Sequence, residues 1–422
     1  MNNSSRLNGK PFVIEAQAAH ASGVVRFLPD GQAIVTYFEK EFIVPVRQQY
    51  DLTQATIFGL NERLTLAATS PVIDETGATL RDQFNSEWEA YATELARSAE
   101  GGALTYGFYA YYVEENDLVR YCPPYWHHLV AVASSSKLLA DPEGKLSWKQ
   151  IWDILANTTI AVAGCSVGSS IIQSVSMDMR PRAIKIADKS VYKMENINRV
   201  KVTYKEIVRN QAERAHPMEL PLKNKAESVA RQLYAIDPFM DVFVYANGVQ
   251  PETIDSFLGA GDGEPKTDFV VEEVDDPRIK ILIREEARKR KLPVLMVTDI
   301  GSAVQLDILR YDLDSSLSLT WGMSDSDLYK KMEAVYADPG NKKLFFEFVD
   351  ALIGRDYRRD ELAKIIDGKS EIPTATIIPQ LGSTVAMAGA IAAEAIARIR
   401  LGWTYPARVV LNKHTFEVTL YR

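Results

Sequence analysis

The sequence predicts an α/β fold built on a doubly wound, mostly parallel sheet, and three observations carry that prediction. Strand and helix patterns alternate from 159 to 298. A glycine turn, Gly164-Cys165-Ser166-Val167-Gly168-Ser169-Ser170, separates a buried apolar strand from a helix. An acid, Asp188, ends the strand that follows that helix. In such a βαβ unit the glycines let the backbone approach phosphates and the helix N-terminus offers free N–H groups. The acid can then hydrogen-bond a ribose hydroxyl.

The elements of this Rossmann-like unit can be justified in order. Thr159–Ala163 is an all-apolar run after one threonine, short enough for a buried parallel strand. Ser170 to Met179 is the helix after the turn, Ala183–Ala187 the second strand, and Lys223 to Ala235 a helix with Ala226, Val229, Ala230 and Leu233 as its apolar stripe. Asp268–Glu272 is the next clear strand, Arg278 to Arg290 a helix, and Val294–Val297 a further strand. Beyond about 315 the pattern turns helical: Ser324 to Tyr336, Lys342 to Ile353, Asp360 to Ile366 and the small-residue helix Gly382 to Leu401. Two strands, 407–412 and 415–420, close the chain around the turn Asn412-Lys413-His414.

The chain has 422 residues, more than one hydrophobic core usually serves, so a second domain is expected. Residues 1–140 form an N-terminal α+β domain suited to substrate or partner recognition, and 150–422 the nucleotide-binding domain with a helical insertion at about 320–370. The N-terminal signals are strands at Phe12–Ile14, Ala33–Phe38 and Phe42–Val46 and an amphipathic helix from Gln83 to Ser98. An aromatic strand follows at Tyr106–Val113, read as core rather than a stacking platform. Ser147 to Leu155 is a short helix after the boundary.

A net charge of −8 disfavours generic nucleic-acid binding, which shows as a basic domain or stripe. The densest charge run, Arg284 to Lys291, has mixed signs and reads as a solvated helix face. Ile377 to Ile396 is the most apolar long segment, but it carries Pro379, Gln380 and Glu394 and reads as a packed helix, not a membrane span. Two cysteines, Cys122 and Cys165, cannot make a disulfide framework or a four-cysteine zinc site and fit a reducing cytoplasm. Cys165 reads as a packing residue of the turn. His127-His128 lacks an evident third metal ligand, and Glu272-Glu273 could be a catalytic pair or structural acids.

A glycine turn alone serves NAD, FAD or ATP. Here Asp188 is followed by Asn196 and Arg199, Lys225 opens a helix, and Asp275-Asp276 follow the strand that ends at Glu272. Cations for phosphates and an acid for Mg²⁺ suit a nucleoside triphosphate better than a dinucleotide.

These residues resemble the adenylyltransferase superfamily of ubiquitin-activating enzymes that includes ThiF and MoeB, over roughly 155 to 310. The run Val271-Glu272-Glu273-Val274-Asp275-Asp276 and the Gly164-x-Ser166-x-Gly168-Ser169 turn look most like a ThiF-type branch found fused to nitroreductase-like domains. No nitroreductase-like region follows, so flavin is not expected. The resemblance implies that Gly164, Ser166, Gly168, Ser169, Asp188, Asn196, Arg199 and Lys225 bind ATP, and that Arg199, Lys225 and Asp275 are catalytic, Asp275 through Mg²⁺. It implies a homodimer that adenylates a carboxylate of a peptide, small protein or small molecule, and the charge and hydropathy patterns above add the expectation of no nucleic acid or membrane partner.

Three features depart from the family pattern. The turn is one residue shorter, no arginine lies between Arg120 and Arg180 to reach a partner subunit's ATP, and the stretch from Arg199 to Lys225 is about twice the usual length. No cysteine follows Cys165, so direct attack on the acyl adenylate is expected in place of thioester transfer. A degenerate, non-catalytic nucleotide- or partner-binding protein is the alternative, and an NAD- or FAD-dependent oxidoreductase a third.

Overall fold

A computed structural model describes residues 9–48, 107–128, 141–208, 223–354 and 380–421, apart from 126, 262, 301, 302, 322 and 414, together with isolated positions 76, 90 and 93. The helices expected at Gln83 to Ser98 and Asp360 to Ile366 lie outside the described residues, positions 90 and 93 apart.

The N-terminal part is a six-stranded sheet: β1 (Phe12–Glu15), β2 (Val25–Phe27), β3 (Gln32–Tyr37), β4 (Lys40–Gln48), β5 (Phe108–Tyr112) and β6 (Asp117–Tyr121). Its order is β1-β5-β6-β4-β3-β2, with Ala16–Ala21 as a helix against it. The aromatic strand β5 buries Tyr109 and Tyr111 in this sheet's core, so it packs rather than presents its rings. Strands β2 and β6 escaped the sequence reading.

The larger sheet holds β7 (Thr159–Ala163), β8 (Ala183–Ala187), β9 (Asp241–Tyr245), β10 (Phe269–Glu272), β11 (Pro293–Ile300), β12 (Ala303–Arg310), β13 (Arg408–Asn412) and β14 (Glu417–Tyr421). Its order is β14-β13-β12-β11-β10-β7-β8-β9. The run β9-β8-β7-β10-β11 is parallel throughout, whereas β12, β13 and β14 join antiparallel and extend one edge. The fold is therefore the expected doubly wound sheet, widened by three antiparallel strands.

Alternation along the buried strands builds two cores. Ile160 and Val162 face the helices Val167–Met179, Lys225–Ile236 and Gly382–Arg400, while Ala161 and Ala163 face Ile254–Leu258 and Pro277–Lys289. Chain order reverses between β7 and β10. That is the switch point where open α/β sheets place ligands, just beyond the carboxyl ends of the strands.

The helix Gly382–Arg400 packs on Val167–Met179 through its small residues. A Cβ on Gly389 would lie 2.6 Å from Ser170 Oγ and 2.8 Å from Ser170 O, so only glycine permits this approach. Gly382–Arg400 is the one helix among the described residues long and apolar enough to cross a membrane, and 56% of its most apolar window is buried inside the protein. Its packing is that of a core helix.

One expectation needs refinement, and one of the two open readings of Glu272 is favoured. The charge run Arg284 to Lys291 is a solvated face only in part: Lys289 and Lys291 are exposed, whereas Arg284 is buried. Lys280 and Arg284 sit one turn apart facing β10, where Lys280 Nζ donates to Glu272 Oε1 (2.7 Å) and Arg284 Nε to Glu272 Oε2 (2.9 Å). Arg288 reaches Asp325 (2.7 Å), so this stripe is covered by the helical segment that follows β12. Glu272 thus serves a buried ion triad and is not half of a catalytic pair.

The N-terminal sheet docks on the far end of the helix Lys225–Ile236. Tyr112 Oη donates to Tyr234 O (2.8 Å), Lys10 pairs with Asp241 (2.5 Å), and His128 Nε2 lies 2.8 Å from an Asp237 carboxylate oxygen. His127-His128 are therefore fastened to Asp237 and Ile236 O rather than gathered around a metal. These contacts lie where β9 begins, at the sheet edge opposite the glycine turn.

Candidate functional site

The strand ends at the switch point converge through backbone contacts that side chains could not tolerate. Gly164 has φ +97°, and a Cβ there would lie 2.5 Å from Glu273 O, directly beyond β10. Its N–H donates to Ala187 O (2.8 Å), tying the turn to β8. A Cβ on Gly168 would come 3.0 Å from Val162 Cγ1, so this glycine lets the helix sit close on β7.

The helix starts at Val167, three residues before the position read from sequence, so Gly168 and Ser169 belong to its buried first turn. Serine at 169 is an ordinary first-turn residue, and its Oγ donates to Ser166 O (2.8 Å). The residue at the N-cap, Ser166, makes no side-chain cap bond. The first-turn N–H groups are therefore not capped by the Ser166 side chain, which leaves them suited to an anion.

Asp188 lies at the end of β8, half buried. One carboxylate oxygen accepts from Cys165 N (2.8 Å) and the other from Ser190 N (2.7 Å). It thus shapes the glycine turn from the end of the neighbouring strand. Asn196 is buried in the short 3₁₀ turn Met194–Asn198, where its Oδ1 accepts from Lys193 N (2.9 Å). That turn delivers Arg199 to the site, and Arg199 Nε donates to Ser166 Oγ (3.1 Å).

Lys225 opens its helix with a side chain 9% exposed and no ion pair among the described residues. Its charge lowers the proton affinity of the Cys165 thiol, which burial and then Asp188 push well above the ordinary value. Cys165 is accordingly a protonated, buried packing residue, as Cys122 is buried in the same core.

Asp275 is exposed in the loop after β10, and Asp276 beside it caps the helix Pro277–Lys289 by accepting from Arg278 N (3.0 Å) and Ile279 N (3.2 Å). Among the described residues no group of three or more His, Cys, Asp or Glu gathers as a metal cluster. One exposed carboxylate suits Mg²⁺, which is typically held by one or two carboxylates together with substrate phosphates and water.

Sequence reasoning missed Asn224 and Asp299 here and left the role of Glu273 open. Asn224 caps the Lys225 helix by accepting from Glu227 N (3.2 Å) while its Nδ2 donates to Asp188 O (2.9 Å) and Ala246 O (3.1 Å), stapling β8, β9 and that helix together. An Asn three residues before a Glu at a helix start was the readable signal. Glu273, against the glycine turn, accepts from Val297 N (2.6 Å), and burial pushes its carboxyl well above the usual range. Asp299, near the end of β11, is 3% exposed and is pushed up to about 7 by burial, against the pull of Arg199 and Lys413.

Beside the turn, a cavity of about 220 Å³ opens between the starts of the helices Val167–Met179 and Gly382–Arg400, lined among others by Ser169, Ser170, Gln173, Arg199, Lys201 and Gly382. A turn of backbone donors, two cations and nearby carboxylates can hold a phosphorylated ligand and neutralise charge on it.

No family model matches the chain. It is 30% identical over 164 residues to an uncharacterized protein, MT1398, of Mycobacterium tuberculosis (strain CDC 1551 / Oshkosh), a match covering 39% of this chain and 20% of that protein. The chain thus spans about a fifth of that relative's length. Among solved structures it is similar to PaaA, with a TM-score of 0.44 at 12% identity, covering 83% of this chain and 98% of that one. It is also similar to the E. coli tRNA N6-threonylcarbamoyladenosine dehydratase TcdA, with a TM-score of 0.40 at 15% identity over 65% and 95% of the two chains. E. coli MccB gives a TM-score of 0.42 at 12% identity over 93% and 92%. The doubly wound sheet of this chain, with its glycine turn at the switch point, has the architecture that its resemblance to ThiF- and MoeB-type adenylyltransferases implies.

Proposed function

We propose that this protein binds ATP at the β7–β10 switch point and uses it to adenylate the carboxylate of a peptide, small protein or small molecule. The observation that carries the reading is the Arg199–Ser166 bond. It places a guanidinium against the uncapped first turn of the Val167 helix, where backbone donors already favour a phosphate. A dinucleotide oxidoreductase needs no such cation.

In the adenylation step a substrate carboxylate oxygen attacks the α-phosphorus of ATP, a P–O bond forms, and pyrophosphate leaves. A carboxylate nucleophile carries no proton to remove, so positioning and charge neutralisation suffice. Arg199 and Lys225 offset the growing negative charge, the first-turn N–H groups orient the phosphates, and Asp188 takes the ribose side. Asp275 would hold Mg²⁺, which when bound supplies charge stabilisation to the departing pyrophosphate. Both cysteines are buried, so a nucleophile from outside the protein attacks the acyl adenylate directly. A cytoplasmic homodimer accompanies this reading.

ATP–pyrophosphate exchange across a panel of peptide and small-molecule carboxylates tests the proposal. Exchange with at least one of them supports it, and loss of that exchange in Arg199→Ala ties it to this site. A second reading, nucleotide or partner binding without turnover, is favoured by the Asp188 carboxylate, both of whose oxygens already hold backbone N–H groups. Tight ATP binding with no AMP formed under any carboxylate would select it.

A further inference from the structure

Asp299 is a buried carboxyl that the adenylation reading leaves without a task. It projects from β11 on the face that carries Val297 in the core shared with the Val167 and Gly382 helices. Neither of its carboxylate oxygens has a hydrogen-bond partner among the described residues. Such an orphaned buried acid requires a reason, because burial without a donor penalises the charged form.

The charges that favour its ionised form come from two elements. Arg199 arrives from the 3₁₀ turn, held on Ser166 Oγ at 3.1 Å, and Lys413 from the turn after β13, held on Ser383 Oγ at 2.6 Å and Thr384 Oγ1 at 3.3 Å. Both cations stand at helix starts, at the first turns of Val167–Met179 and Gly382–Arg400. The neighbouring carboxyl of the crevice, Glu273, is locked to Val297 N–H, and Asp188 is locked to two N–H groups. Asp299 alone among these three acids has no bond that fixes its charge state, and it answers to whatever neutralises Arg199.

We propose that Asp299 is the proton-accepting counter-charge of the phosphate-binding cations: filling the site with a nucleotide polyphosphate moves a proton from solvent onto Asp299. The inference rests on the nucleotide reading above. Without ligand, Arg199 and Lys413 support the Asp299 carboxylate. A polyphosphate cancels their field, the carboxylate becomes the less stable form, and it takes one proton to become a neutral carboxylic acid. By linkage the nucleotide then binds more tightly as pH falls. Asp299 is in this role a positioning residue, balancing Arg199 when the site is empty and withdrawing its charge when it is full.

Isothermal titration calorimetry of the full chain with MgATP, at pH 7 in PIPES and in Tris, counts the protons taken up. The wild type should take up about half a proton more than Asp299→Asn, since a group titrating near neutrality is about half ionised there. From pH 6.5 to 8.5 its Kd should weaken severalfold relative to that variant, a comparison in which the nucleotide's own titration cancels. Glu273→Gln should leave the uptake unchanged. Should Asp299→Asn fail to fold, the infrared difference spectrum of the wild type on adding MgATP should gain the carbonyl stretch of a neutral carboxylic acid. Equal uptake in wild type and Asp299→Asn, or no new carbonyl band, would overturn the proposal while leaving ATP binding intact. Absence of any binding heat would instead overturn the nucleotide reading itself.

Discussion

The Asp188 carboxylate accepts the backbone N–H of Cys165 at 2.8 Å, so the acid that ends β8 also holds the phosphate turn that follows β7. One residue thereby joins the proposed ribose and phosphate sides of the site. Asp188→Ala removes an acceptor from two N–H groups and should lower stability by about 1–3 kcal/mol, read from denaturant midpoints. ATP affinity should fall at least tenfold, because the turn and the ribose acceptor are lost together. Unchanged affinity would mean that the nucleotide lies elsewhere.

Gly164→Ala should be among the most damaging small changes in the chain. The new Cβ would sit 2.5 Å from Glu273 O at φ +97°, so β7 and β10 must separate or the turn must change conformation. We expect a loss of at least ~2 kcal/mol in urea unfolding, with Gly402→Ala milder, since that glycine shares a positive φ but has nothing within 4 Å of the added carbon.

Arg199→Ala and Lys225→Ala should separate function from folding. Each should reduce carboxylate-dependent pyrophosphate exchange by roughly tenfold to a thousandfold, the span expected for removing one preorganised charge from a developing phosphate. Arg199→Lys should recover little, because a lysine cannot reach Ser166 Oγ and Asn198 Oδ1 from two planar nitrogens as the guanidinium does.

Stability should depend on pH through two groups of opposite sign. Burial lowers His127 from 6.5 to about 4, so between those values the unfolded chain binds the extra proton and stability falls as pH falls. Asp237, pulled below its ordinary value by His128 and His127 despite its burial, adds loss below about 4. Asp299 works the other way. Raised from 3.8 to about 7, it is protonated in the folded chain where the unfolded chain has lost its proton, so it costs stability increasingly as pH rises through that window. Asp299→Asn should therefore raise the melting temperature at pH 8 and leave it nearly unchanged at pH 4, and His127→Gln should flatten the decline between pH 6.5 and 4.

The elements that position the site were legible because they are uniformly buried. Thr159–Ala163 and Ala183–Ala187 read as apolar runs, apart from Lys185, and glycine punctuation marked the turn between them. Strands that carry buried polar partners were not legible. β12 holds Gln305 and Asp307, whose needs are met by Ile353 O (3.0 Å) and by Arg408 from β13, and these polar residues broke its apolar pattern. β9 follows closely on Asp237-Pro238 and was lost in that turn. The buried pairing of Arg284 with Glu272 joins residues twelve apart on different elements, which charge counting along one helix cannot reveal. The same reason hid Asp299, whose neighbours Arg199 and Lys413 lie at distant points of the chain.

Whether this crevice activates a carboxylate with ATP can be read from ATP–pyrophosphate exchange with labelled pyrophosphate, Mg²⁺ and a panel of peptide and small-molecule carboxylates. Exchange should require a carboxylate and be lost in Arg199→Ala and Lys225→Ala. Saturable ATP binding with no exchange under any carboxylate, or exchange untouched by both substitutions, would contradict activation at this crevice.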